Sequence, residues 1–246
     1  MVKIDYTEDL KKIGLQPDNT VYVTSSALGR LWDKNYEDNI CRALCDYFVN
    51  GTVIMPTFCS SFRKTGIYNP QTDETVCGNV SEHFRGVMGA QRSLYSPLHS
   101  VAAFGKRARE IVELMPDSSF GNNSVFSYLV DMAEKVTVLH INCNINDGMA
   151  FFHYLEERYS VCYREWKKLH GLVLRENEKE TLTLNWFAKK GGYTISTQKY
   201  ALEFENSRYV KRYTINHSVY LVYSLADFMY FFEGKFEKNK NFALNL

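Results

Sequence analysis

The sequence has 246 residues, 45% of them apolar, and balances 29 Lys plus Arg against 28 Asp plus Glu. That is enough apolar material for one sizeable core and, by length, one domain or one domain with an appendage. A net charge of +1 offers no basic excess for nucleic acid, and 23% charged residues argue against a disordered chain.

No stretch approaches the roughly 20 apolar residues of a membrane span, and the opening MVKIDYTEDLKKIG lacks the apolar core of a secretory signal. The six cysteines form no CxxC and no Cys/His pair at zinc spacing. They read as reduced thiols of a cytoplasmic protein, with no metal site expected.

Taken in chain order, Thr20–Thr24 is a β-branched strand after a Pro-Asp-Asn turn. Tyr36–Val49 places Ile40, Ala43, Leu44, Tyr47 and Phe48 on one helical face, and Asn50-Gly51 ends it. Thr52–Met55 is a short apolar strand. Cys59–Gly78 is polar and carries Gly and Pro, so it reads as a long loop. Val80–Val87 reads as a helix, Ser100–Phe104 as a strand and Lys106–Met115 as a helix. Ser124 is an N-cap candidate for a helix bearing Phe126, Leu129 and Val130. Lys135–Asn142 (KVTVLHIN) is the clearest buried strand, and Phe151–Tyr159 reads as a helix. This strand–helix alternation predicts an α/β sheet covered on both faces. Beyond residue 160 the pattern shifts to strands at Glu180–Ala188, Arg208–Ile215 and His217–Tyr223, with Ser224 opening a last helix. We therefore expect 160–223 to form a small antiparallel appendage on the same core.

Four segments offer chemistry. In NDGMAFFHYLEE (146–157), His153 lies where a strand feeds a helix, with Glu156 and Glu157 three and four residues on. A carboxylate at that spacing can orient an imidazole, although an ordinary surface histidine with ion-pair neighbours has the same spacing. RSLYSPLHSVAAFG (92–105) sets His99 and Ser100 before a small-residue strand. DSSFGNNSVFSYL (117–129) leads a Gly/Asn/Ser loop into a helix. TSSALG (24–29) is a strand-to-loop transition with two hydroxyls. A tightly packed strand and a simple capped turn explain the middle two equally well. No P-loop, GxGxxG, GxSxG or HExxH is present.

Together and in this order, the segments resemble the aminoglycoside 3-N-acetyltransferase family. The likeness rests on Val23–Ser26, GTVIMPT (51–57), GNVSEHFR (78–85), Arg92-Ser93, PLHSVAAFG (97–105), Phe120-Gly121 with Ser124 and Phe126, His153-Tyr-Leu-Glu156-Glu157 and SLADF (224–228). It implies a three-layer α/β/α sandwich that transfers an acyl group from acetyl-CoA, or another acyl-CoA, to an amine. Carried over, Ser25, Ser26, Ala27, Leu28, Gly29, Ser100, Val101, Phe120, Gly121 and Ser124 would line the coenzyme. His153 would be the base and Glu156 its partner. Glu82, His99, Asp147 and Glu157 are the candidates for holding the acceptor.

The chain departs from the family in a shorter turn to Gly29, an apparent one-residue insertion after Arg92-Ser93, a somewhat short length and several substitutions. Thr24 stands where a His is common, Met149 and Ala150 stand where Asn-Thr is usual, and Ser96 replaces another common His. Ala150 has no hydroxyl, so backbone N–H groups are expected to stabilise the oxyanion. A near-neutral chain suits an amino sugar of a surface polysaccharide, free or nucleotide-linked, better than a polycationic antibiotic. An aminoglycoside acceptor is the alternative. A non-catalytic CoA- or sugar-binding relative is the rival from another class, and self-association into a homo-oligomer is left open.

Overall fold

In the computed structural model, which describes residues 4–86, 89–175 and 178–244, the strands are β1 (Thr20–Ser25), β2 (Thr52–Pro56), β3 (Ile67–Tyr68), β4 (Gln91–Arg92), β5 (Val101–Gly105), β6 (Val136–Ile141), β7 (Arg164–Arg175), β8 (Glu178–Lys189), β9 (Lys211–Ile215) and β10 (Ser218–Ser224). Seven of them form one sheet in the order β4-β5-β2-β1-β6-β10-β9. The centre, β2-β1-β6, is parallel. The flanking strands β5, β4, β10 and β9 each run antiparallel to their inner neighbour.

Because side chains alternate along a strand, β1 feeds two cores. Val21 and Val23 pack with Ile40 and Leu44 of the Tyr36–Tyr47 helix and with Phe48, its C-cap. Tyr22 points the other way, onto Phe126 and Phe151. The result is a three-layer α/β/α sandwich. The expected helices are present as Asn79–Arg85, Ala108–Val112, Val125–Asp131, Ala150–Arg158 and Leu225–Lys238; Val87, the last residue of the expected 80–87 helix, lies outside the described residues. Ser124 caps its helix by accepting from the Ser127 N–H at 3.0 Å, and Ser224 caps the last helix through the Ala226 N–H at 3.2 Å.

Residues 160–223 divide, and this corrects the expected single appendage. β9 and β10 complete the main sheet, joined by Asn216 and His217 at φ 48° and 68°, the left-handed pair of a two-residue hairpin turn. β7 and β8 form a separate long hairpin, to which β3 adds a short parallel edge. β7 went unpredicted because REWKKLHGLVLR is largely solvated and carries little alternation. The Gln198–Glu205 helix also went unpredicted. Among the described residues, no helix is long and apolar enough to cross a membrane.

The expected loop Cys59–Gly78 is ordered. Buried Arg92 donates to the carbonyls of Thr57 and Asp73 and to Thr57 Oγ1, and its guanidinium lies 5.4 Å from the Tyr68 ring centroid. Tyr68 in turn donates to the Ser93 carbonyl at 2.8 Å.

Candidate active site

A cleft of about 650 Å³ opens at the carboxyl ends of β1, β2 and β6, where open α/β sheets place ligands. The β1 end contributes Thr24, Ser25, Ser26 and Ala27, and the β2 end Pro56 and Phe58. The turn after β6 adds Cys143 and Asn146 to Ala150, and His153 follows from the next helix. The long loop adds Val76 to Gly78, and the helix after it Asn79. Thr197 reaches in from the C-terminal part and donates to Asn146 Oδ1 at 2.7 Å.

His153 and Glu156 meet as their spacing predicts. His153 Nδ1 lies 2.5 Å from Glu156 Oε2. A carboxylate only accepts, so Nδ1 carries a proton, and in the neutral ring the lone pair is on Nε2. Arg164 Nη2 lies 3.0 Å from Nδ1 and 2.6 Å from the same Oε2. A guanidinium only donates, and that nitrogen's in-plane position is taken by its own hydrogen. The Arg164 bond therefore belongs to the carboxylate. Burial alone would raise the pKa of Glu156, but His153 and Arg164 outweigh it and hold the carboxyl below the usual range. Arg164 is anchored by a 3.0 Å bond to the Phe187 carbonyl, which ties the base of the β7–β8 hairpin to the site.

Glu157 turns away, because successive helical residues are about 100° apart. Its Oε1 accepts from Ser118 in a shallow depression with Trp166 and Asn185. Burial raises its pKa, and Ser118 only partly offsets this. Glu82 is also engaged, pairing with Arg85 and accepting from the Thr75 N–H at 2.9 Å. Asp147 does line the cleft, and its Oδ2 accepts from the Asn144 N–H at 3.2 Å in a capping box.

Of the residues assigned to the coenzyme, Ser25, Ser26 and Ala27 line the cleft. Ser26 donates to the Asn142 carbonyl at 2.5 Å, and Ser25 is 3.0 Å from the Tyr36 hydroxyl. Leu28 is exposed to solvent, and Gly29 lies against the Tyr36 ring so closely that a Cβ would overlap it. Ser100 and Val101 are beneath the floor, with Ser100 donating to the Thr57 carbonyl at 2.5 Å. Phe120 lies between His99 (4.4 Å between ring centroids) and Phe126 (4.7 Å), tilted against both rings. Gly121 borders Ser118, and Ser124 is consumed as a cap. His99 is held between Phe58 and Phe120, and removal from water pushes its pKa well below the usual histidine value.

Sequence reasoning missed Arg164, Thr197, Cys77 and the pairing of Thr24 with His140. The last had one signal, a histidine inside an otherwise apolar strand.

Residues 22–237 match the family model described as aminoglycoside 3-N-acetyltransferase. A comparison with curated proteins returns no match. Among solved structures, AAC-IIIb in a binary complex with CoASH superposes with a TM-score of 0.78 at 20% identity, covering 94% of each chain. The YokD protein from Bacillus subtilis gives 0.76 at 22% identity over 95% of this chain and 97% of that one. AAC-VIa bound to sisomicin gives 0.78 at 16% identity over 94% and 96%. At such identities the likeness to these structures is one of fold. The match of the family model over most of the length is what makes this chain a member of the aminoglycoside 3-N-acetyltransferase family, a family of N-acetyltransferases.

Proposed function

We propose that the chain transfers the acetyl group of acetyl-CoA to the amine of an amino sugar, on a surface polysaccharide or a nucleotide-linked precursor of one, in the cytoplasm. The observation that carries this is the His153–Glu156–Arg164 chain at the edge of the strand-end cleft. An amine attacks a thioester only as the free base. His153 Nε2 takes the amine proton as nitrogen bonds to the carbonyl carbon, the carbon–sulfur bond breaks, and the proton passes to the departing thiolate. Glu156 holds the tautomer and offsets the imidazolium charge.

The acceptor reading rests on charge. Among the described lining residues, Asp147 is the one carboxylate; Glu82, Glu156 and Glu157 are each committed to another partner. An aminoglycoside carries several ammonium groups, whereas one carboxylate beside Asn146 and Thr197 matches a sugar with a single amine.

The test is release of CoA thiol from acetyl-CoA against amino sugars, nucleotide-linked amino sugars and aminoglycosides. Mono-amino sugars should turn over fastest. His153→Ala should lower kcat/KM by roughly 10²–10⁴-fold with CoA binding retained. Aminoglycosides as the best acceptors would overturn the acceptor assignment, and no thiol release with any amine would overturn the whole reading.

A further inference from the structure

Behind the cleft floor, Thr24 of β1 and His140 of β6 stand opposite each other in the sheet register. Thr24 Oγ1 is 2.7 Å from His140 Nδ1, and His140 Nε2 is 2.9 Å from the Tyr223 hydroxyl on the next strand. All three residues are buried, and only Thr24 reaches the cleft.

The donor inventory sets the direction of this chain. Buried Tyr223 has no other hydrogen-bond partner for its hydroxyl among the described residues. If His140 Nε2 carried the proton, the Tyr223 hydrogen would be buried unpaired, which costs roughly 1–3 kcal/mol. So Tyr223 donates to Nε2, Nδ1 carries the imidazole proton, and Nδ1–H donates to Thr24 Oγ1. Burial keeps His140 neutral, lowering its pKa to about 3. Thr24 must then point its own hydrogen elsewhere. Its other hydrogen-bond partner among the described residues is Cys143 Sγ at 3.6 Å, a weak acceptor. A substrate carbonyl oxygen is a far better acceptor. Gly148 packs on the same spot: a Cβ there would come within 2.8 Å of His140 Cε1 and Thr24 Cγ2. Two residues on, Ala150 presents no hydroxyl to the cleft.

Building on the acetyl-transfer reading, we propose that Thr24 is a catalytic hydroxyl. It donates to the thioester carbonyl oxygen as negative charge develops there, and His140 and Tyr223 act as positioning residues that aim it. The same polarity denies Thr24 the role of nucleophile, since His140 Nδ1 has no lone pair with which to take its proton.

The experiment pairs kinetics with nitrogen NMR of the histidines, the His140 signals being assigned by their loss in His140→Asn. Thr24→Val should bind CoA as the wild type does and lose about 10²–10³-fold in kcat, with Thr24→Ser restoring most of it. Tyr223→Phe should lower kcat in the Thr24 background and add little to Thr24→Val. Neutral His140 at pH 7 should carry its proton on Nδ1, a readout that needs neither turnover nor a folded variant at Thr24. A Thr24→Val variant at the wild-type rate, an Nε2-protonated His140, or an acetyl group trapped on Thr24 would each overturn the proposal. Wild-type enzyme that releases no thiol with any amine would instead sink the acetyl-transfer reading itself.

Discussion

Arg164 Nη2 sits 2.6 Å from Glu156 Oε2, and the glutamate side chain it holds is 1% exposed. The carboxylate on which His153 depends is therefore kept ionised by a strand that begins eight residues further on.

Removing that guanidinium leaves a buried carboxylate that keeps His153 but has lost its permanent cation. Truncating one member of such a pair costs about 3–5 kcal/mol. Arg164→Gln should lower the unfolding free energy by that order in urea titration. With one of the two groups that oppose burial gone, the Glu156 pKa rises. The acidic limb of the pH–rate profile should then move to higher pH. The sign follows from linkage: a depressed carboxyl contributes stability above its unfolded value and loses it as pH falls through its folded value. The variant should lack part of that loss. An unshifted limb with unchanged stability would remove Arg164 from the site.

Two of the three carboxylates expected to hold the acceptor should separate in kinetics. Asp147 lines the cleft, while Glu82 is tied to Arg85 and Thr75. Asp147→Asn should raise the acceptor KM roughly ten- to a hundredfold, the range of one hydrogen bond to a charged group, with the acetyl-CoA KM little changed. Glu82→Gln should leave both near wild type. Equal effects from the two variants would mean that the acceptor lies against the Asn79–Arg85 helix instead.

His140 also predicts an acid response of the fold. Its pKa falls from 6.5 to about 3 on burial, so between those values the unfolded chain binds a proton that the native one refuses. Its stabilising contribution is complete above about pH 6.5 and is lost as pH falls toward 3, at a slope of about 1.4 kcal/mol per pH unit. His140→Asn should remove that slope from the pH dependence of chemical unfolding. Parallel wild-type and variant curves would show that the ring titrates freely in the native state.

The sequence alone determined whatever depends on near neighbours. His153 and Glu156 are one helical turn apart, so their meeting followed from helix geometry once the strand before them was recognised. The β-branched runs of β1 and β6 and the caps at Ser124 and Ser224 were legible for the same reason. Even here the local rule had a limit. Glu157 shares the spacing rule with Glu156, yet one further step of rotation carried it to Ser118. Only the tertiary structure decided the rest. Arg164 reaches Glu156 because a hairpin with no clear period folds back on the core. Thr197 closes on Asn146 from 51 residues away, and Thr24 meets His140 across 116. Those contacts arise from which strands lie side by side. Strand order is set by the packing of whole faces, and no stretch of neighbouring residues carries it.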